Sequence, residues 1–434
     1  MRKLLHYLII PSLLVSCTGF NVQEDDPWDD GGGKYSREYD SYITVPIKSS
    51  VTEVQPMTGI VTWADNKYKK DWITLEFAYM LYNDVCREKD VYDWTPVEEL
   101  LDDISSRGHQ AVLRFRYTYV GKSCAVPDYI KALDDYEALW AKAEKKNTEY
   151  PDWRCEELQR FHMEFHRRFA EKYDNDPRLA FLETGFGHWA EYHVYDGKFI
   201  PGRSFPSKEF QSRFLSSMDD WFIKTPWMIS IDAADDTYAP FHEEAKLLKL
   251  KFGNFDDSFM CEEHNDYNTE CWEFFGTQRF KTAPLGGEFS YYSDYDQKHC
   301  LDKKGMYGRV FEDEVAKFHM TFIIGADQPE YQKDSRLREA GMSMGYRFQI
   351  NDFRIKEGVG AVINISNVGV APIYRSAYVA IDGQRSDYSL RNLMPGKDRW
   401  IQFDIPDISA QAKISIECDH LVKDQKIQFQ ASIE

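Results

Sequence analysis

"TPVEELLDDISSRGHQAVLRFRY", residues 95–117, runs from a helix straight into a strand. Thr95 offers a cap, Pro96 suits the first helical position, and Gly108 supplies the stop. Residues 111–117 follow at once as a strand. The same alternation extends both ways. Upstream, strands are expected at residues 59–63 and 73–79. Downstream, "CEELQRFHMEFHRRFAEKYDNDP" puts Leu158, Phe161, Phe165 and Phe169 on one helical face. A fourth strand follows at residues 179–184. Helical "SKEFQSRFLSSMDDWFIK" leads to a fifth strand at 228–233, and helical "PFHEEAKLLKLKFG" to a weak sixth near 258–260. A seventh strand at 283–288, helical "FEDEVAKF" and an eighth strand at 320–325 complete the series.

Eight β–α units predict a parallel α/β fold, a (β/α)8 TIM barrel over residues 42–345. A doubly wound open sheet would normally carry a Gly-rich phosphate turn after its first strand, and "GIVTWADNKYKK" has none. Over residues 346–434 the pattern changes to period two in short runs such as "YRFQINDFRI", "GAVINISNVG" and "RWIQFDIP". This predicts a small antiparallel β-sandwich.

Residues 1–17 read as a lipoprotein signal peptide. Arg2 and Lys3 precede an apolar run too short to span a bilayer, and "LVSC" matches a lipobox ending at Cys17. Cys17 is therefore the expected lipidation site, and the lipid the expected membrane anchor. Residues 18–41, beginning "TGFNVQEDDPWDDGGGKYS", read as an acidic, Gly-rich tether. An acidic patch just after the cysteine resembles the surface-export signal of Bacteroides-like lipoproteins. The expected location is thus the bacterial outer membrane, on its periplasmic or surface side. The net charge of -19, without a basic block, argues against nucleic acid. Export permits disulfides, and Cys261 with Cys271 or Cys300 is the expected pair.

In a TIM barrel the site lies at the C-terminal ends of the strands. Glu191 follows the fourth strand in "GHWAEYH", and Glu288 closes the seventh in "PLGGEFSYY". Two carboxyls facing one cleft can hydrolyse a glycosidic bond. One protonates the leaving oxygen; the other attacks the anomeric carbon or activates water. Glu191 is the expected acid/base and Glu288 the expected nucleophile or base. Trp189 and Tyr192 would exclude water around Glu191, and Gly286-Gly287 would let backbone and sugar approach. Ordinary solvated glutamates remain the alternative. Arg114 and Arg116 share one side of their strand and could contact substrate or hold the nucleophile; an ion pair inside the barrel with Glu76 or Glu183 is the other reading. Asp232 ends the fifth strand and could bind hydroxyls. Trp63, Trp189, Tyr192, Tyr291 and Tyr292 offer flat platforms for sugar faces, or core. His188 and His193 could contact substrate, or ligate a metal with Glu191; no H-E-x-x-H helix is present.

"GFGHWAEYH", "LRFRY", "GGEFSYY" and the β-rich tail together resemble a family of secreted bacterial TIM-barrel proteins, catalogued as a domain of unknown function and regarded as glycoside-hydrolase-like. Its pattern is G-x-W-G-E-x-H after the fourth strand and G-G-E after the seventh. Ala190 departs from it, standing where the family has Gly and where the large retaining-glycosidase clan has Asn. The resemblance implies a glycoside hydrolase that needs no cofactor and takes a poly- or oligosaccharide, with other glycan-uptake proteins as candidate partners. A noncatalytic glycan-binding lipoprotein and a metal-dependent hydrolase are the competing readings.

Overall fold

The computed structural model describes residues 33–434. The expected leader, the lipobox at Cys17 and most of the tether lie outside them. Eight parallel strands close into a barrel in sequence order. They are β1 (Gly59–Trp63), β2 (Leu75–Leu81), β3 (Gln110–Arg116), β4 (Leu179–Glu183), β5 (Trp227–Ser230), β6 (Gly253–Phe259), β7 (Leu285–Phe289) and β8 (Phe322–Ile324). β8 pairs in parallel with β1, Phe322 opposite Gly59, and shuts the ring.

Six longer helices accompany the barrel: α1 (Thr95–Ser106), α2 (Glu156–Tyr173), α3 (Lys208–Trp221), α4 (Asn265–Phe275), α5 (Phe311–Phe318) and α6 (Asp334–Met342). In α2 the stripe Leu158, Phe161, Phe165 and Phe169 is fully buried, as its spacing requires. α1 begins at Thr95, so Thr95 is not its cap: Trp94 holds that position without a side-chain bond, and Asp93 Oδ1 accepts the Thr95 N–H at 3.0 Å. The helix expected in "PFHEEAKLLKLKFG" shrinks to a single 3-10 turn, Ala245–Lys249, and β6 starts at Gly253 rather than near Ser258. Asn254, Asp256 and Asp257 break the apolar run there, although the strand is real.

The barrel interior is layered. Val61, Phe77, Val112, Phe181, Phe255 and Phe322 belong to one buried apolar cluster. The Phe181 ring on β4 stacks on Phe322 of β8, from a strand that is not its neighbour, at 5.2 Å between centroids. Both glycines of "GGE" serve this interior. A Cβ on Gly286 would overlap the Phe322 ring, and one on Gly287 the carbonyl oxygen of Asp256. They make room for the strands on either side.

The C-terminal region forms two facing sheets. One joins β9 (Phe348–Lys356), β10 (Gly360–Asn367), β12 (Asp398–Phe403) and β14 (Phe429–Ile433) with two N-terminal strands, Ile43–Thr44 and Ile47–Ser49. The other holds β11 (Ala377–Ile381), β13 (Ile414–Cys418) and Gln384–Arg385. The sandwich is antiparallel except where β9 runs parallel to β14. The chain thus enters through the sandwich: residues 43–49, expected to begin the barrel, pair with its sheet instead. The end of the expected tether is ordered too, because Arg37–Ser41 coils into a 3-10 turn that lays Tyr39 against Trp400, 5.4 Å between rings.

This sandwich covers the N-terminal end of the barrel. Arg375 donates to the Leu179 carbonyl at the start of β4, at 2.8 Å, and Gln110 at the start of β3 donates to the His420 carbonyl, also at 2.8 Å. The opposite, C-terminal end stays open. Among the described residues the expected disulfide does not form: Cys261, Cys271 and Cys300 are free and buried, as are most other described cysteines. Among the described residues no helix is long and apolar enough to cross a membrane.

Candidate active site

Local backbone rules fix the loop after β4. Glu191 N–H donates to His188 O at 2.9 Å, while the two residues between, Trp189 and Ala190, both have positive φ, 54° and 60°. Two consecutive left-handed residues are the pattern of a type I′ turn, which normally selects Gly or Asn. The turn is held because Gly187 N–H donates to Glu191 O at 2.7 Å and Trp189 N–H to Thr118 O, beyond β3, at 3.1 Å. A Cβ on Gly185 or Gly187 would overlap the backbone of Ala190 or His193, so only glycine fits either place. Alternation then sends Glu191 and His193 to one side.

That side is a cleft of about 770 Å³ at the C-terminal end of the barrel. Its acids are Glu144, Glu191, Asp232, Asp235, Asp256 and Asp257; its rings are Trp189, Tyr195, Tyr238, Tyr267, Tyr291 and Tyr292. The Glu191 side chain is 10% exposed, and its closest charged partner is His193, with Nδ1 3.7 Å from Oε2. The same Nδ1 lies 3.3 Å from Asp232 Oδ1. Burial pushes the Glu191 carboxyl well above the ordinary range; His193 opposes this and Asp257 adds to it. Burial works against a charged His193, but Asp232 and Glu191 outweigh it and push the imidazole up to about 9. His193 in turn holds Asp232 low against its own burial.

Inside the barrel mouth stands a second polar layer. Arg114, fully buried, donates through Nε to Glu183 Oε2 at 2.8 Å and through Nη1 to Asp257 Oδ2 at 2.6 Å. Its guanidinium lies over the Phe255 ring, 4.1 Å from the centroid. Burial and the Asp257 charge push Glu288 well above its ordinary pKa; Arg114 pulls it down and Glu191 pushes it further up. Glu191 and Glu288 therefore act on each other in one electrostatic cluster. Among the described residues Glu288 Oε1 is sealed from solvent without a hydrogen-bond partner, and Asp257 Oδ1 likewise. Burial brings Glu183 up to about 7 despite its bond to Arg114. One guanidinium thus serves several carboxyls, which must share protons.

The expected site residues divide accordingly. Glu191, His193, Trp189, Asp232, Tyr291 and Tyr292 line the cleft. Glu288 joins the layer around Arg114 but does not line the cleft wall. Arg114 is the interior ion pair with Glu183, while Glu76 bonds instead to Arg107 and His109. Arg116 is buried with its guanidinium over Tyr119, 4.5 Å from the centroid, and Trp63 packs on Phe77 and Tyr79. His188 and Tyr192 are sealed in the core, where neither can reach a substrate. His188 Nε2 meets the Tyr150 hydroxyl at 2.9 Å, and burial drops its pKa to about 4. The Tyr192 ring packs on Phe186 rather than shielding Glu191. The expected metal trio with His188 therefore does not assemble. Asp232 takes its place: one ligand atom each from Glu191, His193 and Asp232 fall within 4.8 Å of one another.

Asp256 and Asp257 escape sequence reading. They sit in "NFDDSF", whose acids hide the strand; four polar residues within an otherwise buried run were the available signal. Asp256 accepts from Asn268 Nδ2 at 3.0 Å and Trp272 Nε1 at 3.3 Å, and burial pushes it up to about 7.

No protein-family model matches the chain, and no curated protein matches it. Solved structures similar to it include the catalytic domain of a β-amylase from Paenibacillus polymyxa (11% identity, TM-score 0.37, covering 64% of this chain and 92% of that one). An endo-1,4-β-xylanase from Caldicellulosiruptor owensensis has 8% identity and TM-score 0.36 over 66% of this chain and 85% of its own. An α-amylase from Geobacillus thermoleovorans, complexed with acarbose, has 9% identity and TM-score 0.36 over 85% and 99%. The fold assignment rests on the closed eight-strand order itself, not on these likenesses.

Proposed function

We propose that the protein is a glycoside hydrolase acting on a poly- or oligosaccharide, with Glu191 as general acid/base and Glu288 as nucleophile or base. The observation that carries this reading is Glu191 itself, a carboxyl nine-tenths buried at the wall of an aromatic-rimmed cleft and held toward its protonated form. A leaving glycosidic oxygen needs a proton from a carboxyl that still holds one near neutrality. Glu288 must ionise to attack or to activate water, so it works once its proton is lost from the cluster around Arg114. Trp189, Tyr291 and Tyr292 would lie against sugar C–H faces. A panel of glycans incubated with the full chain tests the reading; released sugar is expected from at least one polymer. Binding without turnover would favour a noncatalytic glycan-binding protein.

The convergence of Glu191, His193 and Asp232 favours a second reading, a metal-dependent hydrolase. A chelator separates the two, since the carboxylate mechanism keeps its rate in EDTA. We further propose that Cys17 carries lipid and tethers the barrel to the bacterial outer membrane. Labelling with a fatty-acid analogue should mark the wild-type chain and not Cys17→Ala.

A further inference from the structure

The cleft wall has a one-sided charge. Six carboxyl side chains line it, and among the described residues no lysine or arginine does. Its imidazoles are His193, already bound to Asp232, and His264. Arg114, the nearest guanidinium to the cluster, is committed to Glu183 and Asp257 inside the barrel. A uronate or sulfated sugar would thus enter against several negative charges, and the wall's one raised imidazole, His193, is already held by Asp232. Hydroxyls alone do not require so many acids. One acid of the wall is left partly unpaired: Asp257 lines the cleft with a side chain only 8% exposed, and its Oδ1 has no hydrogen-bond partner among the described residues. Asp235 at the rim spends Oδ1 on the Thr237 N–H, and Glu144 binds the Tyr195 hydroxyl. The rings of Trp189 and Tyr195 stack in parallel at 5.9 Å on the same wall, next to these acids.

We infer that the sugar taken by this cleft carries a free, protonated amine: an amino sugar without its acetyl group, held between carboxylates and aromatic faces. This rests on the glycan-hydrolase reading for the identity of the cleft, and it specifies which glycan. An ammonium brings three donors and one positive charge, matching a wall of acceptors. The rings favour a sugar over a linear polyamine, because they reward an extended apolar face.

Titration of the full chain, followed by Trp fluorescence, with glucosamine, N-acetylglucosamine, glucose and glucuronate oligosaccharides of equal length and linkage tests this, with spermidine as a further ligand. The glucosamine oligomer should bind about ten-fold or more tightly than the glucose oligomer at low salt, with the advantage shrinking as salt rises. The glucuronate oligomer should bind most weakly. Asp235→Asn with Glu144→Gln keeps both local hydrogen bonds, removes two rim charges and should cut the preference several-fold. Equal binding of glucosamine and glucose oligomers, tighter binding of glucuronate, spermidine matching the amino sugar, or no binding of the glucosamine oligomer would each overturn the inference. If the amino-sugar preference stands while no oligomer is cleaved, the hydrolase reading fails and the inference survives.

Discussion

At the scale of single residues, the account turns on carboxyls lifted by burial. Because Glu191 must keep its proton and Glu288 must lose one, and both are raised, the pH–rate profile should be a bell whose acidic limb lies above the ordinary carboxylate range of about 4 to 4.5. An acidic limb at or below that range contradicts it. His193 makes a stability prediction. Its folded pKa of about 9 exceeds the unfolded value, so its stabilisation is complete below about 6.5 and lost as pH rises through 9. Between pH 7 and about 8.5, before unfolded thiols titrate, urea melts should show stability falling by up to about 1.4 kcal/mol per pH unit. His193→Gln should flatten that slope. Ala190, the doubtful letter of "GHWAEYH", sits at φ 60°. Relief of strain, lost methyl burial and added chain entropy nearly cancel, so Ala190→Gly should change stability by less than about 1 kcal/mol. Ala190→Val, β-branched at positive φ, should cost about 2 to 3 kcal/mol. Sequence alone singled out Glu191 and His193 as residues able to meet substrate. It could not show that His188 and Tyr192 are sealed, because burial on a loop depends on what packs over it.

At the scale of elements, strands with unbroken apolar runs were legible, and β1 and β4 fall nearly where their residues predict. β6 was not, since polar groups stand on both its faces: Asp257 turns inward to Arg114, while Asp256 turns to Asn268 and Trp272 of α4, where propensity expects core. The Gly-Gly of β7 was readable as a motif but not as a packing device, because the overlapping groups, the Phe322 ring and the Asp256 carbonyl, come from the strands on either side. Gly286→Ala should therefore destabilise the barrel by about 2 kcal/mol through overpacking, measured as a lower urea midpoint with an unchanged slope. An unchanged midpoint would remove that role.

At the scale of the molecule, the sandwich and the barrel share one apolar cluster, in which Val61, Phe77 and Val112 join Phe348, Ile350 and Phe353. Among the described residues the chain also pairs with the sandwich, at residues 43–49, before it enters the barrel. Period-two patterning announced the sandwich; the crossing of the N-terminal strands into its sheet left no local signal, because strand partners hundreds of residues away are invisible to a window. Calorimetry should show a single cooperative transition for both units, and two well separated transitions would contradict a shared core. Whether the carboxyls at the barrel mouth break glycosidic bonds is decided by comparing turnover of a cleaved glycan by the full chain with that by Glu191→Gln and Glu288→Gln. Each substitution should lower turnover by about 10²-fold or more while folding and glycan binding persist. Turnover that survives both substitutions would contradict it.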